Sequence, residues 1–181
     1  MTLPETPASP THPVSLARVE LVLDSFRVVG NIRQPGVPRR LVDLLNNTDI
    51  EFLELEDVRI DDPCAQRSRP RTFRNLEVNR TSVLFAMPRG GDSPDHGDAF
   101  DTVKKVPVSS TIVLPGFEVT GNVHFIPSVD PRKVPMLINK HFIPVTQATV
   151  TGADGRTASW TEPVCVVNLE RAVLYGVRDE D

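Results

Sequence analysis

The apolar and polar residues of this chain alternate with the period of β-strands along most of its length. Val19 to Leu23 and Phe26 to Ile32 alternate as half-buried strands do. Asp24-Ser25 between them is a turn dipeptide, so the pair reads as a tight hairpin or one long bent strand. Phe52, Leu55, Val58 and Ile60 mark a further strand whose phase slips once, and Leu76 to Phe85 mark a last one, bent near Asn79. Gly30 lies inside a strand pattern, where glycine marks a bulge or the corner of a small barrel. One segment departs from the strand period. In Pro38-Arg-Arg-Leu-Val-Asp-Leu-Leu-Asn-Asn47, Leu41, Leu44 and Leu45 share one helical face, and Pro38 suits a first helical position. Asn46 or Asn47 suits a left-handed end, so a helix of about one or two turns is expected, plugging one end of a barrel.

The same succession returns in the second half. Leu23, Phe26, Val28, Gly30 and Asn31 are matched at one constant spacing by Leu114, Phe117, Val119, Gly121 and Asn122. Leu44-Leu45-Asn46 is matched by Leu137-Ile138-Asn139, Phe52-Leu53-Glu-Leu55 by Phe142-Ile143-Pro-Val145, and Val78-Asn79 by Val167-Asn168. Both halves close in apolar runs, Val83-Leu84-Phe85 and Ala172-Val173-Leu174-Tyr175. Four matched blocks in one order imply an internal duplication with loop insertions and deletions. Pro135 interrupts the stretch that matches the helix, so the second helix is expected to be shorter or irregular.

The expected fold is therefore all-β with short helical turns, as two tandem small SH3-like or Sm-like barrels. A β-sandwich shared by both halves is the competing arrangement. The expected divisions are a Pro-rich arm at 1–17, a first barrel at 18–88, an Asp/Gly-rich linker at 89–109, a second barrel at 110–178 and an acidic tail at 179–181. Composition sharpens this picture at a few points. Only 6% of the 181 residues are aromatic, so each unit has a thin core and gains from packing on the other or on a partner. A net charge of −4 gives no overall pull toward nucleic acid or anionic membrane. No apolar run reaches membrane-spanning length, and no basic segment followed by an apolar one opens the chain, so no membrane association is expected. Cys64 and Cys165 stand at unmatched places without a CxxC or nearby His, which suggests free thiols and a cytoplasmic location.

Taken together, Phe26-Arg-Val28-Val-Gly30, Arg40-Leu41-Val-Asp43-Leu-Leu45-Asn46, Phe52-Leu53-Glu-Leu55-Glu-Asp57-Val58 and Val78-Asn79 resemble a family of small uncharacterised bacterial domains of the Sm type. The resemblance spans most of both repeats and implies the barrel fold more than an activity. The second half departs from it at Lys133-Val134, Met136 and Gln147, where the first half has Arg40-Leu41, Asp43 and Asp57. Any polar function the family places there is expected in the first half alone.

Candidate chemistry is sparse. Asp92, Asp95, Asp98 and Asp101 recur every third residue, without the alternation a calcium loop needs, and read as a solvated linker. Arg67, Arg69, Arg71, Arg74 and Arg80 make a basic loop whose guanidinium forks suit phosphates or an acidic partner. Only Phe73 is at hand there for base stacking, and the matching stretch from Gly152 to Glu162 is not basic. Asn46, Asn79, Asn139 and Asn168, with Phe26, Phe117, Gly30 and Gly121, form the repeated motif, and each has a structural reading. His124 and His141 have no third ligand and no clear base–nucleophile partner. No Gly-x-Ser-x-Gly, P-loop, GxGxxG or HExxH is present, so no catalytic residue, cofactor or metal is assigned. The expectation is a non-enzymatic interaction or assembly protein whose strand edges self-associate or take a protein partner, much as subunits pair in Sm-type rings. The alternatives are an RNA- or ligand-binding barrel using the arginine loop and an enzyme with its site between the repeats.

Overall fold

The computed structural model describes residues 14–35, 39–61, 69–90, 104–128, 130, 141–153 and 159–177. The first half contains β1 (Val14–Val22), β2 (Arg27–Pro35), α1 (Leu41–Leu45), β3 (Phe52–Asp61), β4 (Arg71–Asn79), a 3-10 turn at Arg80–Ser82 and β5 (Phe85–Pro88). The second contains β6 (Val106–Leu114), β7 (Phe117–Phe125), β8 (Phe142–Gly152), β9 (Trp160–Asn168), a 3-10 turn at Leu169–Arg171 and β10 (Leu174–Val177). The described residues are all-β apart from these short helical pieces, as the alternation implies.

The turns follow from local chemistry. Leu114 pairs with Phe117 across Pro115-Gly116, where Gly116 adopts φ +77°, the left-handed conformation a Pro-Gly turn requires. In the first half the Leu23 N–H donates to the Phe26 carbonyl to close the β1–β2 connection. The phase slips of the third-strand patterns are bulges. Register shifts between Val29 and Asn31 opposite β3, and between Thr120 and Asn122 opposite β8. The extra residue lies on β3 and β8, where Asp57 and Gln147 both have φ 50°. Gly30 and Gly121 are the opposing residues. A Cβ on Gly121 would lie 2.7 Å from Val145 Cγ1 and 2.8 Å from the Thr146 carbonyl oxygen, and one on Gly30 would lie 3.1 Å from Val58 Cγ2. The glycines thus make room for the bulge and do not themselves form it.

Two sequence expectations are corrected here. The strands do not close into two barrels. They form one open antiparallel sheet in the order β10-β6-β7-β8-β9-β5-β1-β2-β3-β4. The cause is β5. One of its edges pairs with β1, and the other is taken by β9 of the second half. The cores interleave accordingly. Leu84, Phe85 and Met87 pack with Ile112, Val119, Val145 and Val167, whereas Phe142 and Val166 pack with Val19, Leu45, Leu53 and Val83. The second correction concerns the helix end. Asn46 is the C-cap of α1 with φ −87° and ψ −2°, right-handed and not left-handed. Its side chain does the capping instead, donating from Nδ2 to the Val42 carbonyl at 2.9 Å. Pro38 and Asn139 lie outside the described residues.

Candidate functional site

The junction between the halves gathers several polar side chains, among them the buried Glu20, Glu162 and Asn168. Asn46 Nδ2 also donates to the Phe142 carbonyl at 2.8 Å, and the Phe142 N–H donates to Asn46 Oδ1 at 2.9 Å. One amide side chain therefore satisfies both backbone groups of the first β8 residue, as a paired strand would. Asn168, fully buried, donates from its backbone N–H to Leu84 and from Nδ2 to Val83, each at 2.9 Å. Its Oδ1 accepts from the Glu170 N–H at 3.0 Å and so starts the 3-10 turn.

An ionic cluster lies beside these contacts. Arg89 donates to Glu162 through both terminal nitrogens at 2.6 and 2.7 Å, and to Glu20 through Nε at 2.8 Å. Arg27 contacts the same Glu20. The two carboxylates are buried, so each relies on the guanidinium between them. The bonds to Glu162 and Glu20 hold the Arg89 pKa above its ordinary value, against the opposing pull of burial. Burial likewise pushes the Cys165 thiol pKa up, beyond any physiological range. The sequence reading missed this cluster. Its one signal was Glu20, a lone charge in the run Val19-Glu-Leu-Val22.

The outer edges of the sheet lack what the junction has. β4 and β10 each keep one edge with no strand paired to it among the described residues. Val173, just before β10, and Leu174, its first residue, are 65% and 63% exposed, whereas Leu84 and Phe85, at the corresponding places before and in β5, are 0% exposed. Beside β4, Phe52 is 46% exposed, whereas its counterpart Phe142 is buried.

The arginines expected to form one binding loop are distributed. Arg80 is buried, and its Nε and Nη1 donate to the carbonyls of Ile50 and Leu45 at 2.9 and 3.0 Å, so it is a support beneath α1. Arg71 lies over the Phe26 ring at 5.4 Å, a cation–π contact. Arg69 is exposed, and Arg67 lies outside the described residues. Arg74 borders a cleft of about 680 Å³ shared with Arg33, Glu54, Glu56, Asp57 and Glu77. Four carboxylates against two guanidiniums make that cleft poor for a phosphate. His124 bonds Thr146 Oγ1 at 2.8 Å and His141 pairs with Glu170 at 2.6 Å, so each is engaged separately. The run from Asp92 to Asp101 lies outside the described residues. Among the described residues no helix is long and apolar enough to cross a membrane. Comparison with protein-family models, with curated proteins and with solved structures found no match.

Proposed function

We propose that this chain is a non-enzymatic assembly protein that binds other protein chains through the edges of its sheet. Its halves are an internal duplication of a five-stranded unit with Sm-like or SH3-like connectivity, opened so that neighbouring units share edges. The single observation that carries the reading is the contrast at the ends of the two halves. Leu84 and Phe85 are buried, whereas Val173, just before the four-residue edge strand β10, and Leu174, its first residue, stand exposed. Paired apolar residues on an unpaired edge are what strand addition uses, with backbone bonds giving affinity and side chains giving selection.

The test compares the full chain with a Val173→Glu/Leu174→Lys variant. Light scattering reads self-association, and affinity capture reads other proteins. The wild-type chain is expected to associate or to retain proteins that the variant does not. A wild-type chain that stays single, and whose captured proteins match the variant's, would remove the reading. An oligonucleotide bound in a salt-sensitive way and lost on replacing Arg69 and Arg71 would favour the RNA-binding reading of the arginine loop instead.

A further inference from the structure

We propose that the occupant of both free edges is a second copy of this chain. β10 of one molecule pairs antiparallel with β4 of the next, in the register that β5 keeps with β9 inside each molecule. This rests on the assembly reading and names its partner and its geometry.

β10 is mounted on its own half as β5 is on its own. The Leu84 N–H donates to the Val22 carbonyl at 2.8 Å, and the Val173 N–H to the Val113 carbonyl at 2.7 Å. Phe85 pairs with Val22, and Leu174 with Val113. A 3-10 turn precedes both strands, and an asparagine side chain caps each turn. Asn79 Oδ1 accepts from the Thr81 N–H at 2.9 Å, as Asn168 Oδ1 does from Glu170. The receiving edge is equally matched. Inside the molecule Phe85 pairs with Val167 and Ala86 with Val166. Carried to the outer edges, this register sets Leu174 against Val78 and Tyr175 against Glu77. The bonds that Asn168 gives to Leu84 and Val83 would then be given by Asn79, through its N–H and Nδ2, to Val173 and Ala172 of the next copy.

The donors of β4 face the right way for this. The Arg80 N–H donates to the Glu51 carbonyl, and Phe52 pairs with Asn79. Antiparallel ladders alternate, so Val78 and Leu76 bond β3, while Glu77 and Asn79 turn their N–H groups to the free edge. Because two different surfaces meet, the contact is head-to-tail and propagates as a ring or a filament.

The experiment uses two edge-blocked forms of the full chain. Val173→Glu/Leu174→Lys blocks β10. Glu77→Pro blocks β4 by removing an outward N–H while sparing the ladder to β3. Phe52→Lys is a second block on the β4 side should the proline form fail to fold. Light scattering of the wild type is expected to give a mass above one 20.0 kDa chain that rises with concentration. Each variant alone is expected to be single. An equimolar mixture of the two is expected to stop at two chains, because only one pair of intact edges meets. A β10-blocked form that still assembles, or a mixture that stays single while the wild type assembles, overturns head-to-tail pairing. A wild type that remains single yet captures other proteins through an intact β10 overturns this inference and leaves the assembly reading standing. One that does neither overturns both.

Discussion

Asn46 is a residue whose importance was legible and whose task was not. Its recurrence pointed to structure, and a left-handed turn was the nearest local explanation. The actual role is nonlocal, because its amide satisfies Phe142 on the other half of the chain. Asn46→Ala leaves those two backbone groups without that partner and is expected to cost about 1–3 kcal/mol, measured by urea unfolding. Arg89 was read as the start of a linker, since nothing nearby in sequence shows that two distant carboxylates converge on it. Arg89→Met takes the guanidinium from Glu162 and leaves Glu20 with Arg27 alone, and is expected to cost about 3–5 kcal/mol in the same measurement. Cys165 gives a pH signature. Burial raises its pKa in the folded chain, so the unfolded chain loses its thiol proton first. Stability is therefore expected to fall as pH rises through the ordinary thiol value of 9.0, and Cys165→Ala to reduce that alkaline slope.

Among the elements, β1 to β3 and both β-hairpin turns follow from alternation and turn chemistry, which act over a few residues, whereas the one bent strand expected from Leu76 to Phe85 is two, β4 and β5, parted by the 3-10 turn at Arg80–Ser82 that the Asn79 side chain caps. The bulges were half legible. A slip of phase in β3 and β8 and a glycine in β2 and β7 were both visible, but their connection needs the pairing of adjacent strands. Asp57 and Gln147 supply the extra residue, and the glycines leave space for it. The fit is tighter at Gly121 than at Gly30, because backbone atoms of Thr146 and Ala148 lie within 3.0 Å of the added carbon. Gly121→Ala is expected to destabilise by about 1–3 kcal/mol, and Gly30→Ala by less, since Val58 and Leu55 side chains can shift.

For the whole molecule, the sequence predicted two barrels and the chain forms one open sheet. The difference was not readable from periodicity. A strand such as β5 has the same alternation whether its second edge meets β4 of its own half or β9 of the other. Its choice of β9 places Phe85 in the core of the second half, and Phe142 lies in the core of the first. Unfolding is therefore expected to be a single cooperative transition seen alike by fluorescence of Trp160, in the second half, and by circular dichroism. Two separated transitions would show that the halves are stable apart. The same choice leaves β4 and β10 as the outer counterparts of the buried pair β9 and β5.

Amide hydrogen exchange at Glu77 and Asn79, followed as the protein is concentrated, tests this directly. Their N–H groups are expected to exchange quickly when dilute and to gain protection with concentration, approaching that of Val166 and Asn168 at the internal junction. Rapid exchange at both positions at every concentration, with Val166 and Asn168 protected throughout, would contradict the pairing of β4 with the β10 of another copy.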